Sequence, residues 1–126
     1  MIKYLIDANV AVYAMEGGYP ALSARMAECE QGDIAISVIS YAEVAYGTYV
    51  GKPPSEEVLD AFVAAIPLVA FNEHAARAYA KLPFKRARFD RLLAAHALSI
   101  GAVVVTNNEG DFADVPGLVV ENWTLG

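Results

Sequence analysis

The sequence has 126 residues, of which 56% are hydrophobic and 19% charged, and its formal net charge is −6. This length suits a single domain built around one core, and no apolar run approaches the roughly 18 residues that span a bilayer. Cys29 is the only cysteine, which excludes an intramolecular disulfide and a thiolate metal cage. The N-terminal run stops at Asp7, unlike a signal peptide, so we expect a cytoplasmic protein whose one domain spans residues 1–126.

Short apolar runs alternate with amphipathic stretches along the chain. The runs are rich in β-branched residues and predict buried strands at residues 2–6, 34–37, 68–71, 102–105 and, as a possible fifth, 118–120. The amphipathic stretches place apolar residues at three- and four-residue spacing, which predicts helices over residues 20–30, 39–49, 55–65, 72–82 and 89–100. Strands that alternate with helices require a parallel sheet covered on both faces. We therefore predict an α/β fold with a parallel sheet of four to five strands flanked by helices.

Polar residues follow three of these predicted strands directly. In open parallel sheets the ligand site lies beyond the carboxyl ends of the strands, so these residues are the first candidates for a functional site. They are Asp7 and Asn9 after the first strand, Ser40 and Glu43 in the segment after the second, and Thr106, Asn107 and Asn108 after the fourth.

Each acid near this edge also has a structural interpretation. Asp7 is a good helix N-cap, and Ser40 and Glu43 have the spacing of a capping box. Asp90 opens the last predicted helix, where the helix dipole favours a negative charge. His96 falls on the apolar stripe of that helix, which predicts a hydrogen-bonded core histidine and not a metal ligand.

The three acids considered together favour a metal site. Carboxylates brought to one edge repel one another, and a divalent cation is the usual remedy. With one cysteine and two histidines in the chain, oxygen ligands select Mg²⁺ or Mn²⁺ over zinc. Such a site beside a phosphate suits hydrolysis by metal-activated water.

Five motifs in this order resemble the VapC-type toxins of the PIN-domain family. They are LIDANV at residues 5–10, ISVISYAEVAYG at 36–47, FDRLLAAHAL at 89–98, VVTNNEGDF at 104–112 and VPGLVVENW at 115–123. The resemblance spans nearly the whole chain and implies a three-layer PIN-like fold. It also implies a Mg²⁺- or Mn²⁺-dependent endoribonuclease of a toxin-antitoxin pair, with Asp7, Glu43 and Asp90 as catalytic metal ligands. A homodimer and inhibition by an antitoxin that blocks the site are further implications.

The chain departs from that family pattern at two places. Many PIN domains supply a fourth acid after the fourth strand, whereas this chain has Thr106, Asn107 and Asn108 there, and Asp111, a few residues further on, is the candidate for a fourth metal ligand. The second departure is a compact basic segment before Asp90, where many relatives have a longer helical hairpin. Residues 77–91 hold six of the nine basic residues against one acid, which predicts contacts to RNA phosphates. The residues predicted to make these contacts are Lys85, Arg86 and Arg88.

Two other functions are compatible with parts of the sequence. A haloacid-dehalogenase-like phosphatase would share the motifs around Asp7 and Thr106, but it needs a downstream lysine, and none follows Asn108. A catalytically silent PIN-like binding module would share the fold alone. The three acids count against the silent module, and titration with Mn²⁺ would distinguish it.

Overall fold

The computed structural model describes residues 1–83 and 89–125. Its sheet has five strands, all parallel to their neighbours. All four predicted strands and the possible fifth are present, although several are shorter than predicted. The strands are β1 (Tyr4–Ile6), β2 (Ile34–Ser37), β3 (Leu68–Val69), β4 (Val103–Val105) and β5 (Val120–Glu121).

Six helices flank the sheet in the described residues. Five coincide with the predicted helices, and the helix that follows Asp7 begins at the strand-to-helix junction. None of the described helices is both long and apolar enough to cross a membrane. A short 3₁₀ helix over Glu109–Phe112 follows β4. The six are α1 (Ala8–Glu16), α2 (Pro20–Ala27), α3 (Val38–Tyr49), α4 (Glu56–Ala65), α5 (Glu73–Ala80) and α6 (Phe89–Ile100).

The strand order is β3-β2-β1-β4-β5. The chain therefore builds outward from β1 in one direction, and then returns to add β4 and β5 on the other side. In the register of the sheet Ile6 lies between Ile36 and Val105, so the carboxyl ends of β1, β2 and β4 are level. This reversal between β1 and β4 is a topological switch point, the place where open α/β sheets bind ligands.

Both faces of the sheet are buried, which confirms the prediction of three layers. Successive strand residues point to opposite faces, and Leu5 and Ile6 accordingly belong to two different core clusters. The cluster around Ile6 includes Val10 of α1 and Leu22 of α2. The cluster around Leu5 is formed largely by the apolar stripe of α6 and by the segment that follows β4.

The start of α3 differs from the sequence prediction. The predicted capping box of Ser40 and Glu43 is wrong, because the helix begins at Val38 and Ser37 is its N-cap. The Ser37 Oγ accepts the Ile39 N–H at 3.0 Å. Ser40 is buried inside the helix, and its hydroxyl has no hydrogen-bond partner among the described residues. Glu43 is therefore free of the capping role that its spacing suggested.

His96 confirms the prediction of a hydrogen-bonded core histidine. Its ring is buried, and its Nδ1 lies 2.7 Å from the Ser37 hydroxyl oxygen. Desolvation lowers the pKa of His96, which favours the neutral ring. Ser37 thus joins the start of α3 to the middle of α6, the two helices that carry Glu43 and Asp90.

Replacing Ser37 with Ala should destabilise the protein more than the loss of an ordinary cap does. Ser37→Ala removes the cap, which is worth about 1 kcal/mol, and also leaves a buried ring nitrogen of His96 without its partner, which costs about 1–3 kcal/mol more. Ser55→Ala is the matched control, because Ser55 caps α4 at an exposed position. Urea unfolding would measure both; equal losses of unfolding free energy would contradict the structural role of the Ser37–His96 contact.

Candidate active site

Asp7 lies at the switch point and is held from several directions. Its backbone N–H donates to the Val105 carbonyl oxygen at 3.0 Å, which ties it to the end of β4. Its Oδ1 accepts the Val10 N–H at 2.9 Å, so the predicted capping role is real. Its Oδ2 accepts a short hydrogen bond from the Thr106 hydroxyl. The two carboxylate oxygens are therefore held by the first turn of α1 and by the turn after β4.

The surroundings of Asp7 favour the neutral form of the carboxyl group. Desolvation by burial raises its pKa, and the negative charge of Asp111 acts in the same direction. The hydrogen bonds from Thr106, Val10 and the Asn9 backbone lower the pKa, but the net shift is upward. Asn9 therefore acts on Asp7 through its main chain, and the residue itself is exposed. An Asp whose charge is disfavoured in this way gains from a nearby cation.

The pKa of Glu43 is affected by two other acids. It lies on α3, and desolvation raises its pKa to about 7, followed in importance by the charges of Asp90 and Asp7. The residue as a whole is exposed, so solvent screens part of this repulsion. The structure thus places Glu43 within electrostatic range of both Asp7 and Asp90, the acids predicted from two other motifs.

Asp90 and Asp111 act on different acids of this group. Asp90 is half-buried in the first turn of α6, as predicted from the sequence. Asp111 is exposed in the 3₁₀ helix, where its Oδ2 accepts a 2.8 Å hydrogen bond from Asn108 Nδ2. Its charge affects Asp7, while the shift in Glu43 comes from Asp90 and Asp7. Asp111 therefore lies on the Asp7 side of the site.

The turn after β4 organises this edge. Thr106 is buried, and its hydroxyl oxygen accepts the Asn108 N–H at 3.0 Å while its proton is donated to Asp7. Asn107 donates from Nδ2 to the Tyr13 hydroxyl at 3.2 Å. Sequence reasoning missed Tyr13, because a tyrosine on an amphipathic helix is more often a core residue than part of a site.

The oxygen donors fit a hydrated divalent cation. No group of three or more Asp, Glu, His or Cys side chains in the described part of the chain is arranged to hold one ion directly. Mg²⁺ does not require such a cage, because it keeps several waters and binds through one or two carboxylates. The acidic cluster around Asp7, which also contains hydroxyl and amide oxygens, suits an ion that keeps several of its waters.

The basic segment has mixed roles. Arg91 is buried and structural, since it pairs with Asp114 at 3.3 Å and donates to the Pro83 carbonyl oxygen at 2.9 Å. Arg77 pairs with Glu73 one turn earlier on α5. The three residues predicted to contact RNA, Lys85, Arg86 and Arg88, lie outside the described residues.

Comparison with known proteins identifies the family to which this chain is similar. The PIN domain family matches residues 4–118. Ribonuclease VapC2 of Rickettsia felis is 30% identical, with 95% of this chain and 97% of that protein covered. The tRNA(fMet)-specific endonuclease VapC of Shigella flexneri is 29% identical, with 98% and 100% covered. The crystal structure of VapBC2 from Rickettsia felis, bound to a fragment of its promoter DNA, superposes with a TM-score of 0.82 at 30% identity, covering 98% of this chain and 99% of that one. The chain belongs to the PIN-domain family.

Proposed function

We propose that this protein is a metal-dependent endoribonuclease and the toxin of a toxin-antitoxin pair. The observation that carries the proposal is the repulsion that Glu43 experiences from both Asp7 and Asp90 at the switch point of a PIN fold. Relatives of similar length are named as ribonucleases or as a tRNA endonuclease. Fold alone never fixes function, and the proposal therefore rests on this site as much as on the relatives.

PIN-domain ribonucleases use divalent metal ions, and we propose Mg²⁺ or Mn²⁺ for this chain. Asp7, Glu43 and Asp90 would hold the ion, and Asp111 would add negative charge on the Asp7 side. The chemistry that the ion would supply there is polarisation of the phosphoryl oxygen and a lowered pKa of the attacking water. Oxygen donors and a site without cysteine or a ligating histidine suit these hard ions.

The residues around the acids prepare them for this task. Thr106 and the Val10 N–H hold the two oxygens of Asp7 and so fix the orientation of its carboxyl group. Burial and the charges of Asp90 and Asp7 raise the pKa of Glu43 to about 7, so this carboxyl group keeps its proton to a higher pH than a free glutamate does. Cation binding must displace that proton. We therefore expect the affinity for Mn²⁺ to fall as the pH is lowered below 7.

The charges around the site suggest how RNA and an antitoxin would bind there. RNA phosphates would pass beside the acids, and we propose that Lys85, Arg86 and Arg88 neutralise them. The antitoxin would occupy the same edge with an arginine, because a guanidinium can fork onto carboxylates where the cation would lie. The homodimer implied by the family resemblance stays a prediction.

Glu43→Gln should abolish RNA cleavage while leaving the protein as stable or slightly more stable. The substitution keeps the shape of the side chain but removes the charge that a hard dication requires. The folded-state pKa of about 7 lies above the ordinary value of 4.5, so the stability from this proton is full below about pH 4.5 and is lost as the pH rises to about 7. Without metal, the glutamine variant should not show that loss, and its advantage at pH 8 should be at most about 1 kcal/mol because solvent screens the site.

Cleavage of a labelled RNA in Mg²⁺ and thermal melting in EDTA from pH 4 to pH 8 measure the two effects. Glu57→Gln is the matched control, since it removes the same charge from an exposed position at the start of α4. We expect the control to cleave RNA normally. A Glu43→Gln protein with near-normal cleavage would remove Glu43 from the catalytic site.

The product of a neighbouring gene should neutralise the toxicity of this protein. Expression of this protein alone should arrest growth, and co-expression with a short upstream reading frame should restore it. The purified complex should bind Mn²⁺ more weakly than the free protein, because an antitoxin arginine competes with the cation for the acids. The Glu43→Gln protein is the control for the arrest. Equal growth arrest with and without the neighbouring gene product would contradict the proposal.

A further inference from the structure

Tyr13 is a polar contact of the site that the proposed chemistry does not yet use. It lies on α1, half-buried, with its ring stacked on Tyr19 at a centroid distance of 4.2 Å and an angle of 21°. Its hydroxyl oxygen accepts the Asn107 Nδ2–H at 3.2 Å. Asp7 is within electrostatic range of this hydroxyl. The stacked ring fixes the hydroxyl at the edge where the proposed cation lies.

The amide of Asn107 is only half satisfied in the structure. Its Nδ2 has the Tyr13 hydroxyl as a partner, whereas its Oδ1 is buried and has no hydrogen-bond partner among the described residues. A buried acceptor without a donor costs about 1–3 kcal/mol. An incoming group that supplies a donor or a positive charge would recover that cost.

The orientation of this amide decides what it offers to a ligand. The terminal torsion of an asparagine has two broad minima that exchange the oxygen and the nitrogen. With Nδ2 bonded to Tyr13, the unoccupied group is an oxygen, which can accept from a water of a hydrated cation. The opposite orientation would present N–H donors, which a cation and its waters disfavour. The Tyr13 hydroxyl also forms a side-chain hydrogen bond with Tyr19 that raises the pKa of Tyr13, the direction expected for the donor of that bond. With its proton engaged by Tyr19, the Tyr13 oxygen accepts only from Nδ2 and therefore selects the first orientation.

The neighbours of Asn107 in the chain connect its amide to the acids of the site. Asn107 follows Thr106, whose hydroxyl is bonded to Asp7, and precedes Asn108, whose amide is bonded to Asp111. The turn therefore makes one side-chain contact per residue, two of them to acids and one to Tyr13.

We propose that Tyr13 is a positioning residue that orients the Asn107 amide with its oxygen toward the waters of the bound cation. This inference rests on the proposed function, because it assumes that the site takes a divalent cation. A purely structural Tyr13 would instead affect stability through its stack with Tyr19 and leave metal affinity alone. Metal affinity and stability must therefore be measured separately.

A double-mutant cycle between Tyr13 and Asn107 tests the proposal, with Mn²⁺ affinity measured by isothermal titration on the full chain. Tyr13→Phe keeps the ring and its stack but releases the amide, so Mn²⁺ affinity should fall by about tenfold, as for other groups that orient metal ligands. In an Asn107→Asp background the two oxygens are equivalent and orientation no longer matters. There Tyr13→Phe should cost less than about twofold, which makes the two substitutions strongly coupled.

Three controls make each outcome decisive. Tyr49→Phe removes a hydroxyl from a residue that is 88% exposed and should leave Mn²⁺ affinity unchanged. Asn107→Ala removes the oxygen itself and should weaken Mn²⁺ binding at least as much as Tyr13→Phe, which keeps the test valid if Tyr13→Phe proves unstable. Asp7→Asn reports on the proposed function, since it should lose Mn²⁺ binding whatever Tyr13 does.

The proposal is overturned if Tyr13→Phe leaves Mn²⁺ affinity unchanged, or lowers it equally in both backgrounds. It is also overturned if Asn107→Ala binds Mn²⁺ as tightly as the unsubstituted protein. If Asp7→Asn loses Mn²⁺ binding in the same experiment, either result contradicts only the role of Tyr13 and Asn107 and leaves the proposed metal site intact. Unchanged binding by Asp7→Asn would instead contradict the proposed metal site.

Discussion

Repulsion between carboxylates at one edge of the sheet is the constraint on which the rest of this site depends. The parallel strands end level with one another, so residues that follow β1 and β4 are forced together. Asp7 is fixed there by hydrogen bonds, and α3 brings Glu43 within range of the charges of both Asp7 and Asp90. The fold thus brings together carboxyl groups whose ionisation is disfavoured, and the divalent cation that we propose would relieve their repulsion. In the proposed function, that cation would reverse the local charge and allow an acidic protein to take up RNA at this edge.

The layers and the edge of this fold were predictable from local patterns. A period of two with both faces apolar identifies buried parallel strands, as in the pair Leu5 and Ile6, whose side chains lie in different cores. A spacing of three and four identifies helices, and α6 has the predicted bounds. The rule that ligands bind beyond strand ends then selects Asp7 and Thr106, which share a hydrogen bond in the structure. The residue types alone predict oxygen ligands and therefore a hard cation.

Contacts between distant residues were not predictable, because no local pattern encodes them. Ser37 and His96 are 59 residues apart, and Tyr13 and Asn107 are 94 apart. The capping box failed for a related reason: Ser37 and Ser40 are both acceptable caps, and the choice depends on where β2 ends and on the buried partner of Ser37. That partner, His96, becomes visible only when α6 packs beside α3. The same limit hid Tyr13, whose hydroxyl matters only because the turn after β4 folds back onto α1.

Metal-dependent cleavage of RNA with analysis of the product ends tests the central claim most directly. Purified protein and an Asp7→Asn variant from the same preparation would be incubated with a labelled RNA in Mg²⁺, in Mn²⁺ and in EDTA. We predict cleavage by the unsubstituted protein only when metal is present, with 5′-phosphate and 3′-hydroxyl ends, because an activated water attacks in line. Cleavage that persists in EDTA, or products with a cyclic phosphate, would contradict a site in which Asp7, Glu43 and Asp90 hold the catalytic cation.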